Sequence, residues 1–171
     1  MSQNFYEQMT AEFGPALERL ARSYEADPDR RRDLLQEIHL AAWRSFALFE
    51  GQCSLRTWVY RVAHNVAASH VLTDRRARSR TFVSLEEVAE LPEPGGTDAA
   101  ADRRKTIEQL YVFIQQLKPL DREVILLYLE GTDAVSIGEI TGLSSGNVAT
   151  KVHRIKTVLA ARFQRGGRDG R

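Results

Sequence analysis

One cysteine, Cys53, is all that 171 residues carry, so no internal disulfide can form and a reducing compartment is expected. No apolar run approaches the roughly 20 residues that a membrane-spanning helix needs. Glu7 and Glu12 interrupt the N-terminal segment where a secretory signal would require a continuous apolar stretch. A cytoplasmic protein without membrane insertion is therefore expected. The spacings that carry enzyme chemistry are missing too. His39, His64, His70 and His153 are scattered, and the chain has no H-E-x-x-H, no paired C-x-x-C, no G-x-S-x-G elbow and no G-x-x-x-x-G-K loop. His64 and His70 share a helical segment but stand six residues apart, so they do not face each other. No metal, no cofactor and no enzymatic activity are expected.

Charge of one sign is also missing, but only locally. From Thr81 to Asp102 there is no Lys or Arg, against six acids: Glu86, Glu87, Glu90, Glu93, Asp98 and Asp102. Basic stretches flank this gap. Arg75, Arg76, Arg78 and Arg80 precede it, and from Lys151 onward seven Lys or Arg face the single acid Asp169. The net charge of +1 thus conceals two cationic regions separated by an acidic connector. Clustered cations are the usual footprint of nucleic-acid binding, though a solvated helix face can carry the same charge.

What is present is helical. Phe5, Met9, Phe13, Leu17 and Leu20 recur near the 3.6-residue period, where a strand would alternate strictly. A second helix is predicted from Asp27-Pro28, with Asp as cap and Pro at the first helical position, turning Leu34, Leu35, Ile38, Ala42, Phe46 and Phe49 inward until Gly51 stops it. Trp43 is expected to face inward as well. Ser54 can cap a third helix with a stripe of Leu55, Trp58, Val62, Val66 and His70, running into the arginines. Pro92, Pro94, Gly95 and Gly96 make 79–102 read as a flexible linker. Periodicity resumes with Ile107, Leu110, Tyr111, Ile114 and Leu117, breaks at Pro119, and continues from Val124 to Gly131. The expectation is an all-α fold of two small helical domains, 1–78 and 103–165, with a basic tail at 166–171.

Two constellations carry function. In VSIGEITGLSSGNVATKVHRIKTVLAARF, a short helix ends at Gly142, Leu143 plugs a turn, and Ser144 or Ser145 caps the next helix. This is the pattern of a helix-turn-helix. Val148, Val152, Ile155 and Leu159 point inward, leaving Ser145, Asn147, Thr150, Lys151, Arg154 and Lys156 for a groove. An ordinary amphipathic hairpin would share the spacing without the excess of cations. In the first half, DLLQEIHLAAWRSF sets Asp33, Gln36, Glu37 and Arg44 on a polar face. SLRTWVYRVAHNVAASH sets Arg56, Thr57, Trp58, Tyr60, Arg61, His64 and Asn65 along another. Rings interleaved with Arg and Asn suit single-stranded nucleic acid, because bases stack on rings while amides read their edges. Trp58 and Tyr60 could equally serve only as packing.

In this order, DLLQEIHLAAWRSF, F-x-G-x-C-S-L-R-T-W-V-Y-R-V-A-H-N, a linker, and LKPLDREVILLYLEG with the helix-turn-helix, the chain resembles the extracytoplasmic-function sigma factors of bacterial RNA polymerase from about Tyr24 to Phe163. The resemblance implies a first domain equivalent to sigma region 2, with Asp33, Gln36 and Glu37 binding the coiled coil of the largest polymerase subunits. The minus-ten promoter element would be opened and read by Phe49, Ser54, Arg56, Thr57, Trp58, Arg61, His64 and Asn65, with Arg75, Arg76 and Arg78 on adjacent phosphates. The second domain would be region 4, docking on the polymerase flap and reading the minus-thirty-five element through Ser144, Ser145, Asn147, Thr150, Lys151 and Arg154. An anti-sigma partner is expected. Ala149 stands where the family often has Lys, shifting phosphate contact onto Lys151 and Arg154. Gly138 stands where Ala is common and should cost up to about 1 kcal/mol of helix stability. A stand-alone helix-turn-helix regulator is the alternative; it leaves the first constellation unused.

Overall fold

In the computed structural model, which describes residues 2–78 and 99–166 and side chains over 4–74 and 103–164, helix α1 (Ser2–Tyr24) buries Phe5, Met9, Phe13, Leu17 and Leu20 along one stripe. Helix α2 (Pro28–Ser45) starts at Asp27, whose carboxylate accepts from the amides of Asp29 and Arg30 at 3.0 Å each. It satisfies two of the four donors a helix start leaves unpaired. Leu34, Ile38 and Ala42 are buried, and a 3-10 turn, Phe46–Leu48, closes the element. Ser54 then caps α3 (Leu55–Arg78) by accepting the Thr57 amide at 3.0 Å.

Trp43 departs from expectation: it is 50% exposed, because α2 is covered on its Leu34–Ile38–Ala42 side and Trp43 projects from the other. The α3 stripe also differs. Leu55, Trp58, Val62 and Val66 are only partly buried, whereas Thr57, Val59, Tyr60, Ala63, His64 and Ala67 are fully so. The reason is that α3 is covered by α1 and α2 on one side and by helices of the second half on the other. At the opposite end of the three-helix unit, Arg30 reaches both Glu25 (3.2 Å) and Asp74 (2.8 Å), with His70 on the same Glu25 carboxylate at 3.0 Å. This partly buried set ties the end of α1 to α2 and α3, with the buried Glu25 and Asp74 carboxylates both partnered.

Residues 79–98, most of the stretch expected to be a linker, lie outside the described residues. Helix α4 (Ala99–Gln116) begins inside that stretch. After the expected break, α5 (Pro119–Leu129) starts with Pro at its first position. Arg122, 2% exposed, donates from Nη2 to the carbonyls of Gln115 (2.5 Å) and Leu117 (2.8 Å), which closes the end of α4. Helix α6 (Ala134–Thr141) is capped by Asp133 and ends on Gly142, whose φ of 80° is the left-handed conformation glycine adopts without strain. Helix α7 (Ser145–Gly166) buries Val148, Val152 and Ile155 against α5 and α6, with Leu159 partly buried. Among the described residues there are seven α-helices and no strand.

Gly138 proves to be a packing requirement as well as a propensity cost. A β-carbon built there would lie 2.5 Å from the Leu143 carbonyl oxygen, because α6 crosses directly under the turn that launches α7. Gly138→Val should therefore destabilise the second half by about 2 kcal/mol or more through overpacking. Urea unfolding would measure this, and an unchanged midpoint would contradict the tight crossing.

Candidate polymerase and nucleic-acid interfaces

The first candidate face lies on α2, where Asp33, Gln36 and Glu37 are all exposed, spaced so that they share one side of the helix. Beside them, Leu40 (44% exposed) and Trp43 join Tyr6, Leu35, Gln36 and His39 in an open, largely apolar cleft of about 710 Å³. Sequence reasoning missed this apolar flank, since an inward Trp43 was expected. Glu37 also borders a second groove of about 680 Å³ between α2 and α3, lined by Arg30, Asn65, Ser69, His70 and Thr73. Asp33, Gln36 and Glu37 were assigned to one partner and Asn65 to another; the fold brings Glu37 and Asn65 to one groove.

The second face, expected to meet the minus-ten strand, divides in two. Arg56, Arg61 and Asn65 point outward from α3, and Ser54 is exposed at its start. Phe49 and Trp58 are half-buried in an aromatic cluster: Phe5 stacks on Phe46 at 3.4 Å, and the Phe49 and Trp58 rings lie 5.3 Å apart. That cluster braces the loop against α1 and leaves ring edges at the surface. Thr57 and His64 fall elsewhere. Thr57 is buried behind the Ser54 cap, and His64, 2% exposed, is hydrogen-bonded through Nδ1 to the Tyr24 hydroxyl at 3.0 Å. Both are almost closed to solvent. Burial holds the His64 pKa down at about 3 and raises that of Tyr24, so both stay neutral near pH 7. The side chains of Arg75 and Arg76, with Arg78, lie outside the described residues.

On the third face, the cap proves to be Ser144, whose Oγ accepts from the Asn147 amide at 3.2 Å. Ser145, Asn147, Thr150 and Arg154 are exposed on α7, with the Thr150 hydroxyl donating back to the Gly146 carbonyl at 3.0 Å. Lys151 is half-buried and paired with Asp121 of α5 at 2.6 Å. Lys156 donates to the Tyr128 hydroxyl at 3.1 Å. Each of these contacts uses one of the three donors of a lysine ammonium.

The two halves meet along a contact that no local pattern announced. Arg19 pairs with Glu130 through two hydrogen bonds of 2.6 and 2.8 Å, and Arg22 pairs with Glu108 while its guanidinium lies 4.1 Å over the Tyr111 ring. Gln115 donates to the Arg22 carbonyl at 2.8 Å, and Arg122 lies 5.1 Å over the ring of Tyr24. Arg56 and Arg61 also donate across this boundary, to the carbonyls of Glu130 (2.7 Å) and Glu139 (2.5 Å). Among the described residues, no group of three or more His, Cys, Asp or Glu is placed to hold a metal ion, and no helix is long and apolar enough to cross a membrane.

Comparison with known proteins adds the lineage. The family model of sigma-70 region 2 matches residues 9–77, and that of sigma-70 region 4 matches 107–159. The chain is 35% identical over 150 residues to the ECF RNA polymerase sigma factor SigG of Mycobacterium tuberculosis, a match covering 74% of this chain and 40% of that protein. It therefore spans about two fifths of the length of this relative. It is 26% identical to SigX of Bacillus subtilis, covering 78% of this chain and 70% of that one. Identity is 27% to CnrH of Cupriavidus metallidurans, covering 94% and 87%. The fold is shared with solved structures. CnrH in complex with the cytosolic domain of CnrY superposes with a TM-score of 0.68 at 22% identity, over 95% of this chain and 89% of that one. RpoE in complex with the anti-sigma factor NepR, from Bartonella quintana, superposes with a TM-score of 0.67 at 23% identity, over 93% and 96%.

His64 and Glu123 set opposing pH dependences. A base held at about 3 against 6.5 contributes stability that is present above pH 6.5 and lost as pH falls toward 3. Glu123, pushed up to about 7 from 4.5 by burial, contributes stability that is present below pH 4.5 and lost as pH rises through 7. Between pH 7 and pH 5 the two should largely cancel in the native chain. Relative to that chain, His64→Gln should gain about 2 kcal/mol over this step, and Glu123→Gln should lose stability over it. Parallel pH profiles of urea midpoints for all three proteins would show that neither burial persists in solution.

Proposed function

We propose that this chain, which belongs to the sigma-70 family of RNA polymerase sigma factors and groups with its extracytoplasmic-function members, directs core RNA polymerase to promoters and helps open the DNA there. The observation that carries this reading is the pairing of two family matches, in order, with two helical units that present suitable chemistry. A polar face on α2 stands ready for a protein partner, and a capped helix-turn-helix stands ready for a groove.

In this reading Asp33, Gln36 and Glu37 bind the coiled coil of the polymerase largest subunits, with Leu40 and Trp43 adding apolar area at the centre of the contact. Region 4 docks on the flap. Phe49, Ser54, Arg56, Trp58, Arg61 and Asn65 meet the separated minus-ten strand, where rings stack on bases and guanidinium groups neutralise phosphate; Arg75 and Arg76 extend the basic track. Ser144, Ser145, Asn147, Thr150, Lys151 and Arg154 meet the minus-thirty-five duplex. Thr57 and His64 hold α3 in shape. The protein works by binding, without catalysing a reaction of its own, and in the cytoplasm, where polymerase and DNA are. Two structures of the same fold are complexes with a partner, one of them the anti-sigma factor NepR, which supports an anti-sigma regulator for this chain also.

Run-off transcription with core polymerase on genomic promoter fragments tests the reading. The native chain should yield core-dependent transcripts. The double variant Asp33→Ala, Glu37→Ala should weaken core binding by about tenfold or more, since each charged hydrogen bond lost costs about 1.5–3 kcal/mol. Tight duplex binding with neither transcripts nor core affinity would instead make the protein a stand-alone regulator.

A further inference from the structure

One residue of the groove-facing helix has already spent its proton. Thr150, exposed on α7, donates its hydroxyl hydrogen to the Gly146 carbonyl at 3.0 Å, and two turns further on Thr157 does the same to His153 at 2.9 Å. Gly146, Thr150, His153 and Thr157 follow the four- and three-residue steps of one helical face, and all are exposed, while Val148, Val152 and Ile155 are buried. A hydroxyl has one proton to give. With it committed, Thr150 offers a partner only the lone pairs of an acceptor and its γ-methyl group. Ala149, exposed next to it, offers a methyl group and nothing else. A β-carbon added at Gly146 would meet nothing within 4 Å, so packing inside the protein does not require that glycine. Its missing side chain lets the helix backbone come close to whatever lies opposite, which side chains as short as Ala149 and Thr150 need in order to reach it.

Base edges in the major groove answer this chemistry unequally. Guanine presents two acceptors, N7 and O6, and calls for donors that neither residue has to give. An A·T pair presents the adenine N6 amine, a donor compatible with the Thr150 oxygen, beside the thymine 5-methyl group, which packs on apolar carbon. Cytosine also carries an amine but lacks the methyl. We propose that Ala149 and Thr150 select an A·T pair in the minus-thirty-five duplex by packing their methyl groups on its thymine methyl. Cations that hold backbone phosphate fix where the helix lies; these two uncharged residues read sequence. The proposal deepens the reading of α7 as the helix that enters the minus-thirty-five groove and rests on it.

The test replaces thymine by deoxyuridine, which keeps the pairing edge and lacks only the 5-methyl group, throughout the minus-thirty-five segment of a promoter fragment found by run-off transcription. Binding of the full chain with core is titrated on both duplexes at one salt concentration, for the native chain, Thr150→Ser and Thr150→Val. The native chain should bind the deoxyuridine duplex about threefold or more weakly, the loss expected for a buried methyl contact. Thr150→Ser keeps the hydroxyl and removes the methyl, so the ratio between duplexes should fall towards the share that Ala149 supplies. Thr150→Val keeps a methyl and should retain the native ratio. Equal binding of the two duplexes by the native chain would overturn the methyl contact. So would a full native ratio in Thr150→Ser, which would assign the loss to altered groove shape, or a ratio in Thr150→Val as low as in Thr150→Ser. If no fragment gives core-dependent transcripts, the sigma-factor reading fails and the same comparison is made on the duplex that the chain binds alone. A thymine preference there that Thr150→Ser lowers retains the methyl contact, and absence of duplex binding overturns both.

Discussion

The fold turns on one buried cation. Arg122 is 2% exposed, yet it lies where α4 ends, α5 begins and α1 passes overhead. Its guanidinium binds the carbonyls of Gln115 and Leu117, and it lies over the ring of Tyr24, whose hydroxyl in turn meets His64 of α3. Burial lowers the pKa to about 10, which leaves the group charged at neutral pH. A charge so placed is tolerated only because its donors are answered. Arg122, Tyr24 and His64 thus form one polar thread through the interior, joining the elbow of the second half to the central helix of the first.

The surface follows from what that thread holds in place. With α3 sandwiched between α1 and α2 on one side and α5 and α6 on the other, it has few directions left in which to present polar groups. Arg56, Arg61 and Asn65 occupy them. The same sandwich brings two helix C-termini within reach of the arginines, so the groups best suited to phosphate are also those best suited to orphan carbonyls. Both interactions draw on one property of guanidinium, a planar fork of donors that matches paired or aligned oxygens. On α7 the Lys151–Asp121 pair expresses the same competition within a single domain.

Much of this was legible beforehand where a signal is local. Asp27-Pro28, Ser54, Pro119 and Gly142 each mark a helix end through the chemistry of a few atoms, and those ends lie where expected. Periodicity identified the inward faces of α1 and α7 because the large buried residues of each recur along one stripe. It failed where packing is two-sided or one-sided in an unexpected direction. The stripe assigned to α3 followed the large residues and passed over Ala63 and Ala67, which are small because neighbouring helices approach closely there. Trp43 was turned inward on its size, yet it belongs to an exposed apolar flank beside Asp33, Gln36 and Glu37. His64 was read with the polar face of its helix, and its burial depends on Tyr24, forty residues away.

The sequence by itself determined the helices seen among the described residues, several of their caps, the glycine turn of the helix-turn-helix, and the family to which the arrangement belongs. All of these depend on interactions between residues a few positions apart, or on motifs whose order survives in the linear chain. Only the tertiary structure decided which polar residues are available. Arg19 meets Glu130, Arg56 meets the end of α5, and Arg61 meets the end of α6 across 111, 74 and 78 residues respectively. A long-range pairing of a side chain with a backbone carbonyl leaves no trace in residue identity, because every residue at that position offers the same carbonyl.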